Sequence, residues 1–522
     1  MTFHVQMLSY SGNTERNMKL YTEAEAPLLR AIGKLNYTNP FTPERLELEE
    51  IILGRPPAPE RRVWNMHDGL RGTREDVSEL GRLVEHWALE LRRRADAPGV
   101  ELDARARDIA EPVVIYHLFE KYRAEMTGQM LQNPEETRFD CYEKFAADFD
   151  HFLSRPGRRL RCSYDPERTF AIYFQIHRAF HHIFDFIIGG TLEAGKLRAG
   201  IWQSLFTVDI YRYHRALYDR MQEINTLITG ESGTGKELVA RAIALSQYIP
   251  FDAKSRKFRT AYPDCFRPVH LSALPQTMLE SELFGHRKGA YTGALADRIG
   301  YLEACDPSDA VLLDEIGEIN AEVQVKLLRV LQTRRFQRLG DNAEREFAGK
   351  IIAATNRDLA GACREGVFRH DLYYRLCSDV IRTVPLRDLT GGEPGELEKF
   401  VDITAARLLG EEEAKRFVPE AMEWIVRNLG SAYPWPGNVR ELEQCVRNLV
   451  IRGCYTPGDA QQSGGTELEN ALGRCGLTAE ELMRLYVKVA VRRSGSRLKA
   501  AGQLGLDRRT VARYLAGETP RS

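Results

Sequence analysis

Between residues 74 and 131 apolar side chains recur every three or four positions, in REDVSELGRLVEHWALELRRR and EPVVIYHLFEKYRAEMTGQML, the period of amphipathic helices. Comparable stretches run on to about residue 200, so residues 1–200 are predicted to be a mostly helical domain. From residue 201 to 393 the texture changes. Short β-branched runs, INTLITG, PVHLSAL, DAVLLDE, KIIAATN and VIRTVP, alternate with helical segments, which predicts an α/β domain with a parallel sheet covered by helices on both faces. Residues 394–457 return to helical period and close on PWPGNVRELEQCVRNLVIRG, predicting a helical lid. Residues 458–476 are small and polar with no apolar period, a linker. Residues 477–522 hold three short helical stretches.

Composition narrows the class. At 522 residues the chain exceeds one ordinary core. With 43% hydrophobic and 28% charged residues it reads as a soluble globular protein, and no uncharged apolar run is long enough to cross a membrane. The most apolar segment, TFAIYFQIHRAFHHIFDFIIGG from Thr169, is interrupted by Arg178, three histidines and Asp185, so it is predicted to be a core helix. Its His177, His181 and Asp185 fall at i, i+4 and i+8, a spacing that suits a metal, although packing is the commoner role. The N-terminus lacks the pattern of a signal peptide, and nine cysteines show no C-x-x-C pair, so a cytoplasmic protein with reduced thiols is expected. Net charge is −1, yet residues 491–522 carry eight Lys/Arg against two acids. That tail points to nucleic acid.

The candidate chemistry starts in INTLITGESGTGKELVARAIA, an apolar strand, a glycine-rich turn and a helix. Gly230, Gly233 and Gly235 let the backbone approach phosphates, Glu231, Ser232 and Thr234 complete the turn, Lys236 supplies positive charge, and the helix N-terminus adds its dipole. Glu237 stands where such a loop usually places a hydroxyl for magnesium. Downstream, VLLDEIGE places Asp314 and Glu315 at the end of a second apolar run. Asp314 is suited to hold Mg²⁺, directly or through water, and Glu315 to activate the water that attacks ATP. ATP and Mg²⁺ are the expected cofactors.

Over about residues 205–455, GESGTGKELVARAIA, ESELFGHRKGAYTGA, LLDEIGE, VKLLRVLQ, IIAATNRDL, FRHDLYYRL and WPGNVREL resemble, in order, the AAA+ domain of bacterial sigma-54-dependent transcription activators, the enhancer-binding proteins. The resemblance implies an AAA+ P-loop fold with a helical lid, and makes Glu237 a family feature. It implies that Asn356 is a sensor near the γ-phosphate, that Arg369 and Arg375 are fingers reaching into a neighbouring subunit, and that Arg440 reads nucleotide from the lid. Hydrolysis would then need a ring, expected to be hexameric. It further implies that the GAYTGA loop, Gly289, Ala290, Tyr291, Thr292, Gly293 and Ala294, contacts sigma-54 RNA polymerase and drives the closed promoter complex open.

Two positions depart from the family pattern. Tyr291 replaces phenylalanine, and His270 replaces an asparagine that holds the catalytic glutamate at rest, so His270, a residue able to hydrogen-bond Glu315, is expected to bring a titratable group to the switch. The stretch 251–266 is longer than the usual connection and reads as a solvated loop. The C-terminal segments TAEELMRLYVKVAVRRSG, SRLKAAGQLG and DRRTVARYLAG resemble a Fis-type helix-turn-helix. That resemblance places Arg508, Arg509, Thr510 and Arg513 toward the major groove of double-stranded enhancer DNA, with Asp507 as cap and Lys499, Arg492 and Arg493 toward phosphates. Residues 1–200 carry no phosphoacceptor aspartate after a strand and are expected to be a regulatory or sensor domain. The alternatives are a DNA-binding repressor whose AAA+ domain no longer touches sigma-54, which the intact GAYTGA loop opposes, and a chaperone-like AAA+ machine, which the basic C-terminal helices oppose.

Overall fold

The computed structural model describes residues 19–56, 75–97, 100, 103–131, 138–153, 165–392, 394–457, 479–494 and 496–516. The linker assigned to residues 458–476 lies outside them. The chain forms two compact units, Met1–Leu442 and Glu443–Ser522. No helix among the described residues is long and apolar enough to cross a membrane.

The first unit is organised by a five-stranded sheet of β1 (Thr226–Thr229), β2 (Phe266–His270), β3 (Ala310–Asp314), β4 (Lys350–Thr355) and β5 (Asp379–Arg382), all parallel, in the order β2-β3-β4-β1-β5. The apolar runs become central strands because neighbouring positions point to opposite faces and both faces are covered. Ile228, Leu312, Ile352 and Ala354 face one core, and Leu227, Val311, Leu313, Ile351 and Ala353 face the other. The second core is closed by Leu279 and Leu283 of helix Gln276–Phe284 and by Val323, Leu327 and Val330 of helix Ala321–Thr333.

The first core is larger. It runs from the sheet through Val239, Ala240 and Ile243 of helix Lys236–Ala244 into helices Ala26–Leu35, Pro43–Leu53, Glu75–Ala95, Ala104–Leu131, Cys141–Leu153, Pro166–Phe186 and Leu192–Phe206. The described residues of the N-terminal region thus form helices that share one continuous core with the phosphate-site helix. Helix Pro166–Phe186 begins cleanly, with Asp165 accepting from the Arg168 N–H at 2.7 Å and Pro166 in the first turn. Arg178, the charged break in its apolar run, is fully buried and donates to the carbonyls of Leu245 (2.7 Å) and Gln247 (2.6 Å), just past the phosphate-site helix. A cation there satisfies carbonyls that a helix end leaves unpaired. His177 stacks on Phe119 with centroids 4.7 Å apart, and no group of His, Cys, Asp or Glu suited to a metal occurs among the described residues.

The stretch 251–266 corrects the expectation of a solvated loop. Phe251–Asp252 and Lys257–Phe258 pair as a short antiparallel hairpin, and Phe258 stacks on Phe174 at 4.3 Å while Phe251 packs on Phe170 at 4.7 Å. Arg256 bridges to Asp140 (3.1 Å) and Glu143 (3.0 Å). Phe251 and Phe258 drive the segment onto the N-terminal helices, because burying an aromatic ring outweighs the cost of ordering a short hairpin.

Lid helices Pro394–Leu409, Glu411–Asn428 and Asn438–Arg452 follow the sheet. Within the second unit, helices Ala479–Ser494, Arg497–Leu504 and Arg508–Ala516 close on Val487, Ala501 and Val511. Gly505, at φ 63°, makes the left-handed turn between the second and third of these.

Candidate nucleotide site

The phosphate turn follows β1, and its three glycines all have positive φ: Gly230 155°, Gly233 78° and Gly235 84°. Two are also required by space. A Cβ on Gly230 would lie 2.0 Å from Thr383 Oγ1, and one on Gly233 would lie 2.3 Å from the Gly437 carbonyl oxygen. Lys236 folds back to donate to the carbonyls of Gly230 and Glu231, both at 3.1 Å. Burial lowers its pKa, against the pull of Glu315 and Asp314. Both carboxylates are therefore near enough for the lysine to feel their charge.

The second half of the site comes from the approach to the lid. Asn438, at φ 54°, donates to Glu231 Oε2 (3.2 Å) and the Ser232 carbonyl (3.0 Å) and accepts from the Leu386 N–H (2.9 Å). Arg387 clamps Glu231 through two bonds of 3.0 and 2.6 Å, which together with Asn438 hold that carboxyl down at about 2. Arg440, assigned to the lid-side reading of nucleotide, donates to Ser232 Oγ at 3.2 Å. Reading the sequence did not single out Thr383, Arg387 or Asn438. The asparagine lies inside WPGNVREL, but its role depends on a fold that brings it 207 positions back to Glu231.

Asp314 ends β3, and Glu315 follows it at φ 57°. One carboxylate oxygen of Glu315 is buried without a hydrogen-bond partner. His270 corrects the sequence expectation: its Nδ1 lies 3.1 Å from Asp314 Oδ2, so it partners the magnesium candidate and not Glu315. Register is the reason. β2 and β3 run parallel with His270 directly opposite Asp314, whereas the left-handed backbone at Glu315 turns the next side chain away.

An acceptor set of Asp314 and Glu315, an amine at Lys236 and a turn that admits no Cβ at Gly230 or Gly233 fit a nucleotide triphosphate with a hard divalent cation. Glu237 is in the first turn of helix Lys236–Ala244. Asn356 is exposed just past β4.

Arg369 and Arg375 are exposed at the two ends of helix His370–Leu376; Arg369 pairs with Asp371 at 2.8 Å, and Arg375 has no ion pair among the described residues. GAYTGA forms a tight turn after helix Gln276–Phe284, exposed at Gly289 and Tyr291–Gly293, half-buried at Ala290 and buried at Ala294. The Gly289 N–H donates to the Ala294 carbonyl at 2.9 Å, and Asp297 anchors its base through Arg287 (2.6 Å) and the Lys288 N–H (2.8 Å). Tyr291 is 40% exposed and Thr292 and Gly293 are open to solvent. In the second unit Asp507 accepts from the N–H groups of Arg509 (2.8 Å) and Thr510 (3.0 Å), capping the last helix. Arg508, Arg509 and Lys499 are exposed, and Arg513 lies over the Tyr514 ring. The side chains of Arg492 and Arg493 are outside the described residues.

Residues 209–382 match the family described as Sigma-54 interaction domain. The chain is 42% identical over 245 residues to the Nif-specific regulatory protein of Azotobacter vinelandii, an alignment covering 45% of this chain and 42% of that one. It is 41% identical over 238 residues to the DNA-binding transcriptional regulator NtrC of Rhizobium meliloti (strain 1021), covering 45% of each. Against the regulatory protein AtoC of Escherichia coli (strain K12) it is 36% identical over 313 residues, covering 56% of this chain and 62% of that one. The chain thus spans less than two thirds of the length of these relatives. A crystal structure of NtrX from Brucella abortus aligns over 80% of this chain and 86% of its own, at 20% identity and a TM-score of 0.40. Residues 209–382 of this chain are therefore similar to the sigma-54 interaction domain, a likeness that the Nif-specific and NtrC regulators share over about 240 residues.

Proposed function

We propose that this protein is an ATP-hydrolysing, ring-forming transcription regulator that binds enhancer DNA and remodels the sigma-54 RNA polymerase closed complex into an open one. The observation that carries the reading is the pairing, within one compact unit, of a complete phosphate turn and acidic pair with an exposed GAYTGA loop. Bound ATP supplies the bond to be broken, and Mg²⁺ neutralises its phosphates. Gly230–Lys236 bind and orient the phosphates, Asp314 holds the cation, and Glu315 accepts the proton of the attacking water. Asn356 positions that water. Arg369 and Arg375 act on the site of a neighbouring subunit, which makes hydrolysis depend on assembly into a ring, a hexamer in this reading. Arg508, Arg509, Thr510 and Arg513 read the DNA, with Lys499 on the phosphates, so binding weakens steeply with salt. The N-terminal helices regulate through the core they share with the phosphate-site helix. The work is done in the cytoplasm.

The test uses the full chain, since removing residues 1–200 would strip an apolar face shared with helix Lys236–Ala244. Thr292→Ala, in the exposed loop, is expected to keep ATP hydrolysis and lose open-complex formation at a sigma-54 promoter. Open complexes formed by the variant at the wild-type level would reject the assignment of the loop, whereas wild-type protein that hydrolyses ATP but opens no promoter would favour a repressor that retains its ATPase.

A further inference from the structure

A cavity of about 140 Å³ lies between the hairpin insertion and the N-terminal helices, walled by Met130, Phe139, Phe174, Ile249, Phe258 and Tyr262. Three of its rings are mutually packed, with Phe174 and Phe258 at 4.3 Å and Phe139 5.1 Å from each. A cavity of about 150 Å³ is large enough to take a benzene ring, and here Gln129 and Thr260 add polar groups beside the aromatic walls. The walls decide the charge of what enters. Lys257 and Arg259, both exposed, line the same cavity, and neither has an ion pair among the described residues. No described lining residue is acidic, and Arg178 already covers one face of Tyr262 at 5.6 Å, which disfavours a cationic guest.

We propose that this cavity is a binding site for a small aromatic carboxylate, a single ring held among Phe139, Phe174 and Phe258 with its carboxylate toward Lys257 and Arg259. The pairing of an apolar body with a cationic rim selects such a molecule over a plain hydrocarbon, which would leave the cations without a partner, and over an aliphatic acid, which would forgo the ring contacts. The site also occupies a telling stretch of chain. Ile249 follows the phosphate-site helix, and residues 257–262 lead into β2, which ends at His270 beside Asp314. A ligand here bears on the connection between two sides of the nucleotide site.

The experiment is calorimetric titration of the full-length protein with benzoate, without nucleotide, so that its result is independent of hydrolysis. Saturable one-to-one binding is expected, with a rise in melting temperature that grows with benzoate concentration. Toluene and cyclohexanecarboxylate should each bind at least about tenfold more weakly, as loss of a charge-assisted contact or of ring packing would predict. The double charge reversal Lys257→Glu with Arg259→Glu, both on the exposed rim, should weaken benzoate about tenfold or more without lowering the melting temperature of the free protein. Ala261→Leu, at the wall, should also reduce binding by filling the space. Absence of saturable heat up to about 10 mM benzoate would overturn the proposal. Equal affinity for toluene, or undiminished benzoate affinity in the charge-reversed protein, would do the same for the carboxylate.

Discussion

Mild acid should weaken the fold through buried histidines kept neutral, of which His177, His182 and His214 are shifted furthest, with burial lowering His117 as well. Burial lowers His177 to about 3, with Arg123 adding to the effect, and lowers His182 to about 2, with His181, Arg178 and Arg241 adding to it. His214 is brought to about 3 by burial and by Arg168. An unfolded histidine titrates near 6.5. The folded values lie below that, so the stabilisation is complete above about pH 6.5 and declines as the pH falls toward the folded values. Each histidine withdraws about 1.4 kcal/mol between about pH 7.5 and pH 5.5. Three withdraw ~4 kcal/mol, a large share of a typical 5–15 kcal/mol. Carboxylates with lowered pKa values add little in that window, because unfolded carboxylates titrate below it. The assay is the urea midpoint followed by tryptophan fluorescence, with Trp202 buried against Phe180 and Phe206 as a reporter. The midpoint should fall clearly between the two pH values. In His182→Phe, which keeps an aromatic ring stacked near Phe186 and Tyr262, the loss should shrink by about 1.4 kcal/mol. A midpoint unchanged from pH 7.5 to 5.5, or a slope untouched by His182→Phe, would refute the reasoning.

Gly233→Ala should abolish nucleotide binding, because its Cβ would sit 2.3 Å from the Gly437 carbonyl oxygen at a φ of 78°; fluorescent-nucleotide titration with unchanged affinity would contradict this. Glu315→Gln should cut hydrolysis by roughly 10² to 10⁴ while nucleotide still binds, the range for losing a general base, and a phosphate-release assay reads it directly. Arg375→Ala should lower hydrolysis by about 10³ or more yet recover partly when mixed with Lys236→Ala protein, whose intact arginine can serve a neighbour's site. Failure of the mixture to exceed either variant would count against a ring. Asn438→Ala should loosen the junction of lid and phosphate turn by about 1–3 kcal/mol, since it leaves the Leu386 N–H without its acceptor, and should raise the Kd for nucleotide.

Much of the site could be read from local strings because its parts are contiguous: a turn needs its glycines within six residues, and an acidic pair needs only the end of a strand. The parallel sheet was legible for a similar reason, since strands buried on both faces must be continuous apolar runs, as Val311–Leu313 and Ile351–Ala354 are. The basic C-terminal helices announced themselves by charge. What escaped was contact between segments distant in sequence. Thr383, Arg387 and Asn438 are ordinary letters until β5 and the approach to the lid bring them against Gly230 and Glu231.

His270 marks the boundary between the two kinds of information. The sequence, through its resemblance to the activator family, placed a histidine beside the acidic pair. Which acid it meets was decided by strand register and by the left-handed backbone at Glu315, and those are properties of the assembled sheet. The insertion follows the same logic. Phe251 and Phe258 are plain in the sequence, yet whether they face water or a core depends on Phe139, Phe170 and Phe174 being in place to receive them. Sequence sets the period and the local chemistry of each element; burial and long-range hydrogen bonds are decided only where elements meet, because their energies belong to pairs of residues that no local pattern records.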